Sequence, residues 1–143
     1  MDNLRKGSHS VHQLHVHIVW STKYRYAVLK GEAQVRCRDL IRQICDAMGA
    51  RILKGAVSKD HAHLHMSCPP KVSASDLAKR LKGRSARLVL DEFSELKRRY
   101  WGQHLWGIGY GAWGTGNITD EMVQEYLEHH KEGPNSDQNF ILE

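Results

Sequence analysis

His61, His63 and His65 alternate with Ala62, Leu64 and Met66 directly after Asp60. On a strand, a side-chain period of two puts the three imidazoles on one face and the apolar side chains on the other. Residues two apart lie about 6.5–7 Å apart along such a backbone, and two leaning imidazoles can share one metal ion at bonds of about 2.1 Å. His15-Val16-His17 has the same spacing but no neighbouring acid, so periodicity alone barely separates the two pairs. Two imidazoles leave a site incomplete, and the last helical segment offers Tyr126, His129 and His130. Tyr126 and His130 are four apart and share a helix face with Met122. A phenol, with an ordinary pKa of about 10, needs a polarised electrophile to act as a nucleophile, and a metal ion supplies one. Taken alone, Tyr126 reads first as a half-buried helix residue and the two histidines as solvated.

A second group of residues suits an anionic partner. Lys79, Arg80, Lys82, Arg84 and Arg87 place five cations in nine residues with no acid among them. Lys23-Tyr24-Arg25 adds a basic, aromatic loop, and Trp101, Trp106 and Trp113 are candidate stacking platforms. The bland alternative is a solvated helix face beside ordinary core aromatics. Net charge is +5 with ten histidines uncounted, and the pI is about 9.2, which favours nucleic acid.

The elements that must position these residues are legible as patterns. Leu14–Ser21 reads as a strand, Glu32–Met48 as an amphipathic helix stopped by Gly49, and Arg51–Val57 and His61–Cys68 as two further strands. Ser73 with Asp76 looks like a capping box opening a helix to about Arg99, bent at Gly83. Leu105–Thr115 reads as a glycine-rich strand, and Thr119 or Asp120 caps a last helix to about Lys131. The order β-α-β-β-α-β plus a terminal helix predicts an α+β, ferredoxin-like split β-α-β sandwich, an antiparallel sheet with helices on one face. A chain of 143 residues and 16.4 kDa, 41% hydrophobic and 26% charged, fits a single domain with a real core. That domain spans 1–143, with a core of about 14–131 and tails at 1–13 and 132–143. Cys37, Cys45 and Cys68 form no CxxC pair and read as buried free thiols of a reducing compartment. No apolar run approaches the ~20 residues of a membrane span and no signal peptide is evident, so a cytoplasmic protein is expected.

Several of these motifs occur together in one known family. The chain resembles the single-tyrosine, histidine-hydrophobic-histidine (HUH) transposases of insertion-sequence-200-like elements. The resemblance rests on His17-Ile18-Val19-Trp20 leading to Lys23-Tyr24-Arg25, then Asp60-His61-Ala62-His63-Leu64 and Lys82-Gly83-Arg84-Ser85-Ala86-Arg87. Trp106 with Gly109-Tyr110, and Tyr126, complete it in order over residues 14–131. It implies that His61 and His63 are the metal pair and Tyr126 the catalytic nucleophile. The family's third ligand is a glutamine four residues after the tyrosine, and here that position is His130; His129 and His65 are alternatives, and Asp60 supports the pair. Tyr26 stands where a second arginine is common. The resemblance further implies Mg²⁺ or Mn²⁺, single-stranded DNA with hairpins, a 5′-phosphotyrosine intermediate, and a homodimer whose active sites are shared between subunits. No membrane partner is expected. A domesticated relative processing repetitive palindromes, or a non-catalytic nucleic-acid-binding module with a structural metal, are the alternatives.

Overall fold

The computed structural model describes residues 5–6, 11–12, 14–102, 104–114 and 119–129. A small hairpin, β1 (Arg5–Lys6) with β2 (Val11–His12), precedes the main body. Then follow β3 (His15–Ser21), a 3-10 turn (Lys23–Arg25), α1 (Gly31–Ala47), β4 (Arg51–Val57) and β5 (His61–Ser67). The chain continues through α2 (Ala74–Glu92), α3 (Ser94–Arg99), β6 (Gly111–Trp113) and α4 (Asp120–His129). The four long-range strands make one antiparallel sheet in the order β4-β5-β3-β6. Each helical crossover therefore skips one strand, which is the ferredoxin-like arrangement expected from the element order.

Alternation along the two central strands creates the two faces of the sheet. Ile18 and Trp20 of β3, with Ala62, Leu64 and Met66 of β5, are buried in the core under α1 and α2. Those helices contribute Cys37, Leu40, Ile41, Ile44, Leu77, Leu81, Val89 and Leu90 at helical spacing. Arg36 and Glu92 join α1 to α2 through paired contacts of 2.8 and 3.0 Å. The Ser73 hydroxyl accepts from the Asp76 N–H at 3.0 Å, so α2 opens on the cap its sequence announces. All three cysteines are buried and free. No helix among the described residues is long and apolar enough to cross a membrane.

Two expected elements differ. The long helix after Ser73 is two helices, broken at Phe93, whose extended backbone (φ −121°, ψ 92°) ends α2 and caps α3. Gly83 sits inside unbroken α2 with open space around it and makes no bend. The strand expected over Leu105–Thr115 is reduced to Gly111–Trp113. Trp106 turns into the core, where its Nε1–H donates to Ser85 Oγ at 2.9 Å. Backbone bonds to the end of β3 (Gly107 N–H to the Ser21 carbonyl, Lys23 N–H to the Leu105 carbonyl, both 2.8 Å) end at this point, and Lys82 Nζ donates to the Gly107 and Gly109 carbonyls at 2.8 and 2.7 Å beyond it. The carboxy-terminal tail lies outside the described residues.

Candidate active site on the histidine face

The sheet face away from α1 and α2 carries the histidines. Register places His61 opposite Ser21, His63 between Val19 and Ala56, and His65 between His17 and Lys54. Beyond β3 the same rows continue to Gly111, opposite Val19, and Trp113, opposite His17. His15 and His17 therefore share the face with the three histidines of β5.

Asp60 orients the first of them. Its Oδ1 accepts from His61 Nδ1 at 2.8 Å, and its Oδ2 accepts from Arg25 Nη2 at 3.0 Å. Burial alone would raise the Asp60 pKa, but the His61 hydrogen bond and the Arg25 guanidinium together hold it below the usual carboxylate range. An ionised carboxylate can only accept, so in a neutral His61 ring the proton sits on Nδ1 and Nε2 keeps a lone pair. That is the tautomer a metal-binding imidazole needs.

Arg25 reaches Asp60 from a strained turn. Tyr24 (φ 63°) and Arg25 (φ 52°) are consecutive left-handed residues without being glycine. Such conformations cost about 1–3 kcal/mol each and persist where surrounding contacts over-determine them. Here Thr22 N–H donates to the Asp60 carbonyl at 2.9 Å, Leu29 N–H donates to the Lys59 carbonyl at 2.9 Å, and Thr22 Oγ1 donates to the Tyr26 carbonyl at 2.7 Å. The turn and the start of β5 thus form one stitched unit. Arg25 Nη1 also lies 3.8 Å from Glu128 Oε1 of α4.

Helix α4 lies against this same face. Val123 and Leu127 bury themselves on Val19, with Trp113 and Tyr126 packed beside them. Thr119 caps the helix, its Oγ1 accepting from Met122 N–H at 3.2 Å. Tyr126 is half-buried, edge-on to Trp113 at 6.0 Å between ring centres. A Cβ on Gly111 would lie 3.0 Å from the Tyr126 ring and 2.6 Å from the Trp113 indole. Gly111 shares a row with Val19 and His63, two strand spacings from His63, or about 10 Å. The nucleophile candidate and the histidine pair are therefore on one face of one chain. His129 ends α4, while its side chain, and His130 entirely, lie outside the described residues.

His17 is the residue that sequence reasoning set aside. Its Nδ1 lies 3.4 Å from His63 Nε2. Its ring stacks on His65 at 4.1 Å and 9°, and His15 meets His65 edge-on at 5.2 Å. Burial first, then the neighbouring histidines, push the His17 pKa down to about 4, and burial with His15 lowers that of His65. Among the described residues no three His, Cys, Asp or Glu side chains already surround one point.

The basic residues are divided. Lys79, Arg80, Arg84 and Arg87 are exposed on α2, in the layer opposite the histidine face. Lys82 is engaged with loop carbonyls, burial lowers its pKa, and the Arg25 guanidinium is held by Asp60. Lys23 lies over the Tyr24 ring at 5.1 Å, and Arg99 lies over Tyr26 at 4.2 Å. Trp106 is core rather than platform, whereas Trp101 is 88% exposed. A cleft of about 540 Å³ between α2 and the 102–108 loop collects Lys23, Lys82, Arg87 and Lys97 around Leu105 and Ile108.

Fold and face together define an α+β sandwich that presents a carboxylate-oriented histidine pair beside a helix-borne tyrosine. A family model described as "Transposase IS200 like" matches residues 10–130. The chain belongs to that family of transposases. It is 36% identical over 131 residues to the ISDra2 transposase TnpA of Deinococcus radiodurans, covering 90% of this chain and 94% of that protein. It is 33% identical over 116 residues to the transposase for insertion sequence element IS200 of Salmonella typhimurium, covering 81% and 76%. The crystal structure of a candidate transposase from Deinococcus radiodurans R1 superimposes with a TM-score of 0.83 at 32% identity, covering 90% of this chain and 99% of that one. A REP-associated tyrosine transposase bound to a REP hairpin shares the fold at a TM-score of 0.55 and 12% identity, covering 88% and 67%.

Proposed function

We propose that the chain is a metal-dependent transposase acting on single-stranded DNA, which recognises hairpin ends and cuts through a covalent tyrosine. The observation that carries this reading is the placement of Tyr126 on the same face as His61 and His63, with Asp60 fixing the His61 tautomer. His61 and His63, with His130, would hold a divalent ion, Mg²⁺ or Mn²⁺. The Nε2 of His61, with Nδ1 taken by Asp60, is the nitrogen that would face it. When bound, the ion would draw charge from the non-bridging oxygens of a scissile phosphate.

The Tyr126 oxygen forms the new bond to phosphorus as the bond to the 3′ oxygen breaks. The phenol proton passes to solvent, and the leaving oxygen takes a proton to become a free 3′-OH. The 5′ phosphate stays on the tyrosine, so a second 3′-OH can displace it and rejoin strands without ATP. The exposed cations of α2 and the platform at Trp101 suit the single strand and its hairpin. The enzyme would act in the cytoplasm of a bacterial or archaeal cell, at the nucleoid.

A two-fold homodimer with shared sites belongs to the same reading. Helix α4 docks on its own sheet through the small cluster of Val19, Val123 and Leu127, separate from the main core. An identical Val19 on a partner offers the same seat, so exchange of α4 costs little. Mixing Tyr126→Phe with His63→Ala subunits then restores one complete site per dimer. No rescue would show that each chain uses its own tyrosine.

The central test is a denaturing gel of labelled single-stranded oligonucleotides from the flanking DNA, with Mg²⁺ or Mn²⁺, with EDTA, and with Tyr126→Phe. A metal-dependent adduct absent from Tyr126→Phe supports the reading. Retarded but uncut DNA in every lane would replace it with a binding module.

A further inference from the structure

We infer that Lys54 binds a backbone phosphate of the single strand beside the one that reacts, and that a β-bulge in β4 places it there. The inference rests on the reading that single-stranded DNA crosses the histidine face. Along β4, Ile52 pairs with Met66 and Lys54 with the adjacent residue of β5, His65, which leaves Leu53 as an extra residue between them. One extra residue reverses which side of the sheet the following side chains take, and bulges at sheet edges re-aim side chains in this way. Unbroken alternation would put Lys54 on the core side with Ile52. Instead Gly55 takes the core side, where a Cβ would lie 2.9 Å from Leu64 Cδ2 and 3.3 Å from Ile52 Cγ2. Lys54 and Ala56 are thereby turned, exposed, onto the histidine face, paired with His65 and His63.

Charge on that face is one-sided. The four strands of the main sheet contain two Lys or Arg residues, Arg51 and Lys54. Both are exposed, with Arg51 opposite Ser67 in the row beyond His65, and neither makes an ion pair among the described residues. Helix α4, toward the β6 side, contains no Lys or Arg and exposes Glu121, Glu125 and Glu128. Arg25 is already held by Asp60, and the cations of α2 lie in the opposite layer. A polyanion laid over His63 is therefore drawn toward β4. The backbones of Lys54 and His63 are one strand spacing across and two residues along, about 8 Å apart, and the small Ala56 leaves the way between them open. A lysine arm over that gap meets the backbone beside a phosphate held at His63, not the phosphorus that Tyr126 attacks. Lys54 is thus a binding residue and takes no part in the chemistry.

The test measures binding of a labelled single-stranded oligonucleotide from the flanking DNA by fluorescence anisotropy across a salt series. Full-length Tyr126→Phe protein in EDTA is the parent, so no strand is cut, and equal melting temperatures establish that each variant folds. Adding Lys54→Gln is expected to weaken binding about three- to tenfold at low salt and to reduce the salt slope by about 0.7; adding Arg51→Gln as well should reduce it about as much again. Lys54→Arg should keep the parent slope, and so should Arg42→Gln, which removes an exposed cation of α1 on the other side of the sheet. One neutral methylphosphonate linkage beside the cleavage position should weaken binding to the parent and cost the Lys54→Gln variant nothing further. An unchanged slope in Lys54→Gln would overturn the inference. So would an equal loss in Arg42→Gln, which would reduce Lys54 to general charge. Failure of the parent to bind the single strand at all would instead overturn the reading beneath it.

Discussion

Asp60 Oδ1 stands 2.8 Å from His61 Nδ1, and the other Asp60 oxygen is taken by Arg25. The carboxylate thus sets which nitrogen of His61 is free, and Arg25 sets the carboxylate. Asp60→Asn keeps the volume but lets the amide present a donor to the imidazole. On the proposed metal-dependent reading, divalent-metal affinity measured by calorimetry should fall about 10–100-fold, as for outer partners of a metal-binding histidine. Wild-type affinity in that variant would separate Asp60 from the site.

Gly111 of β6 faces the Trp113 indole and the Tyr126 ring with no side chain of its own. Gly111→Ala drives a methyl into the Trp113 indole and against the Tyr126 ring. The fold should persist, since β6 is short and at the sheet edge, while α4 is displaced. Adduct formation on a single-turnover gel is expected to slow about tenfold or more, because misplacement of a reacting group by 1 Å can cost about a hundredfold. DNA retardation should be unchanged.

Two tryptophans separate binding from folding. Trp101→Ala removes an exposed ring and should shift stability by less than about 0.5 kcal/mol, yet weaken single-strand binding by about 1–3 kcal/mol if a base stacks there. Trp106→Ala removes a core ring and the bond to Ser85, and should destabilise by about 3–5 kcal/mol. Denaturant melts and fluorescence anisotropy distinguish the two.

The buried thiols set an alkaline limit. Burial pushes Cys37 and Cys45 up to about 12, from an ordinary value of about 9. Between those values the unfolded chain loses thiol protons that the folded chain retains, so stability falls as pH rises past about 9. Denaturant midpoints should decline from pH 9 to pH 11, and Cys37→Ala should flatten the decline after its own cavity cost is subtracted. A flat wild-type profile would contradict the burial argument.

The histidine face was legible because a period of two needs no tertiary information: Asp60 through Met66 declares its own two sides. Sheet order followed from the element order, since each crossover helix needs one face of an antiparallel sheet to cover. What stayed hidden depends on distant partners. Arg25 looked like a phosphate contact until two left-handed residues turned it onto Asp60, 35 positions away. His17 sat in a pair that periodicity could barely separate from His61 and His63, because only the β3–β5 register brings it to His63 and His65. Trp106 looked like a platform because nothing local reveals that Ser85 receives its N–H.

The small seat of α4 has a thermal consequence. Among the described residues the tyrosine helix is seated on a small cluster of Val19, Val123 and Leu127 with Trp113 and Tyr126 beside them, whereas the sheet is held by the whole core beneath it. Elements with so few buried contacts open at lower free energy than the domain unfolds. Heating should therefore silence the enzyme at a temperature where the sheet is still folded, and cooling should restore it without refolding the domain.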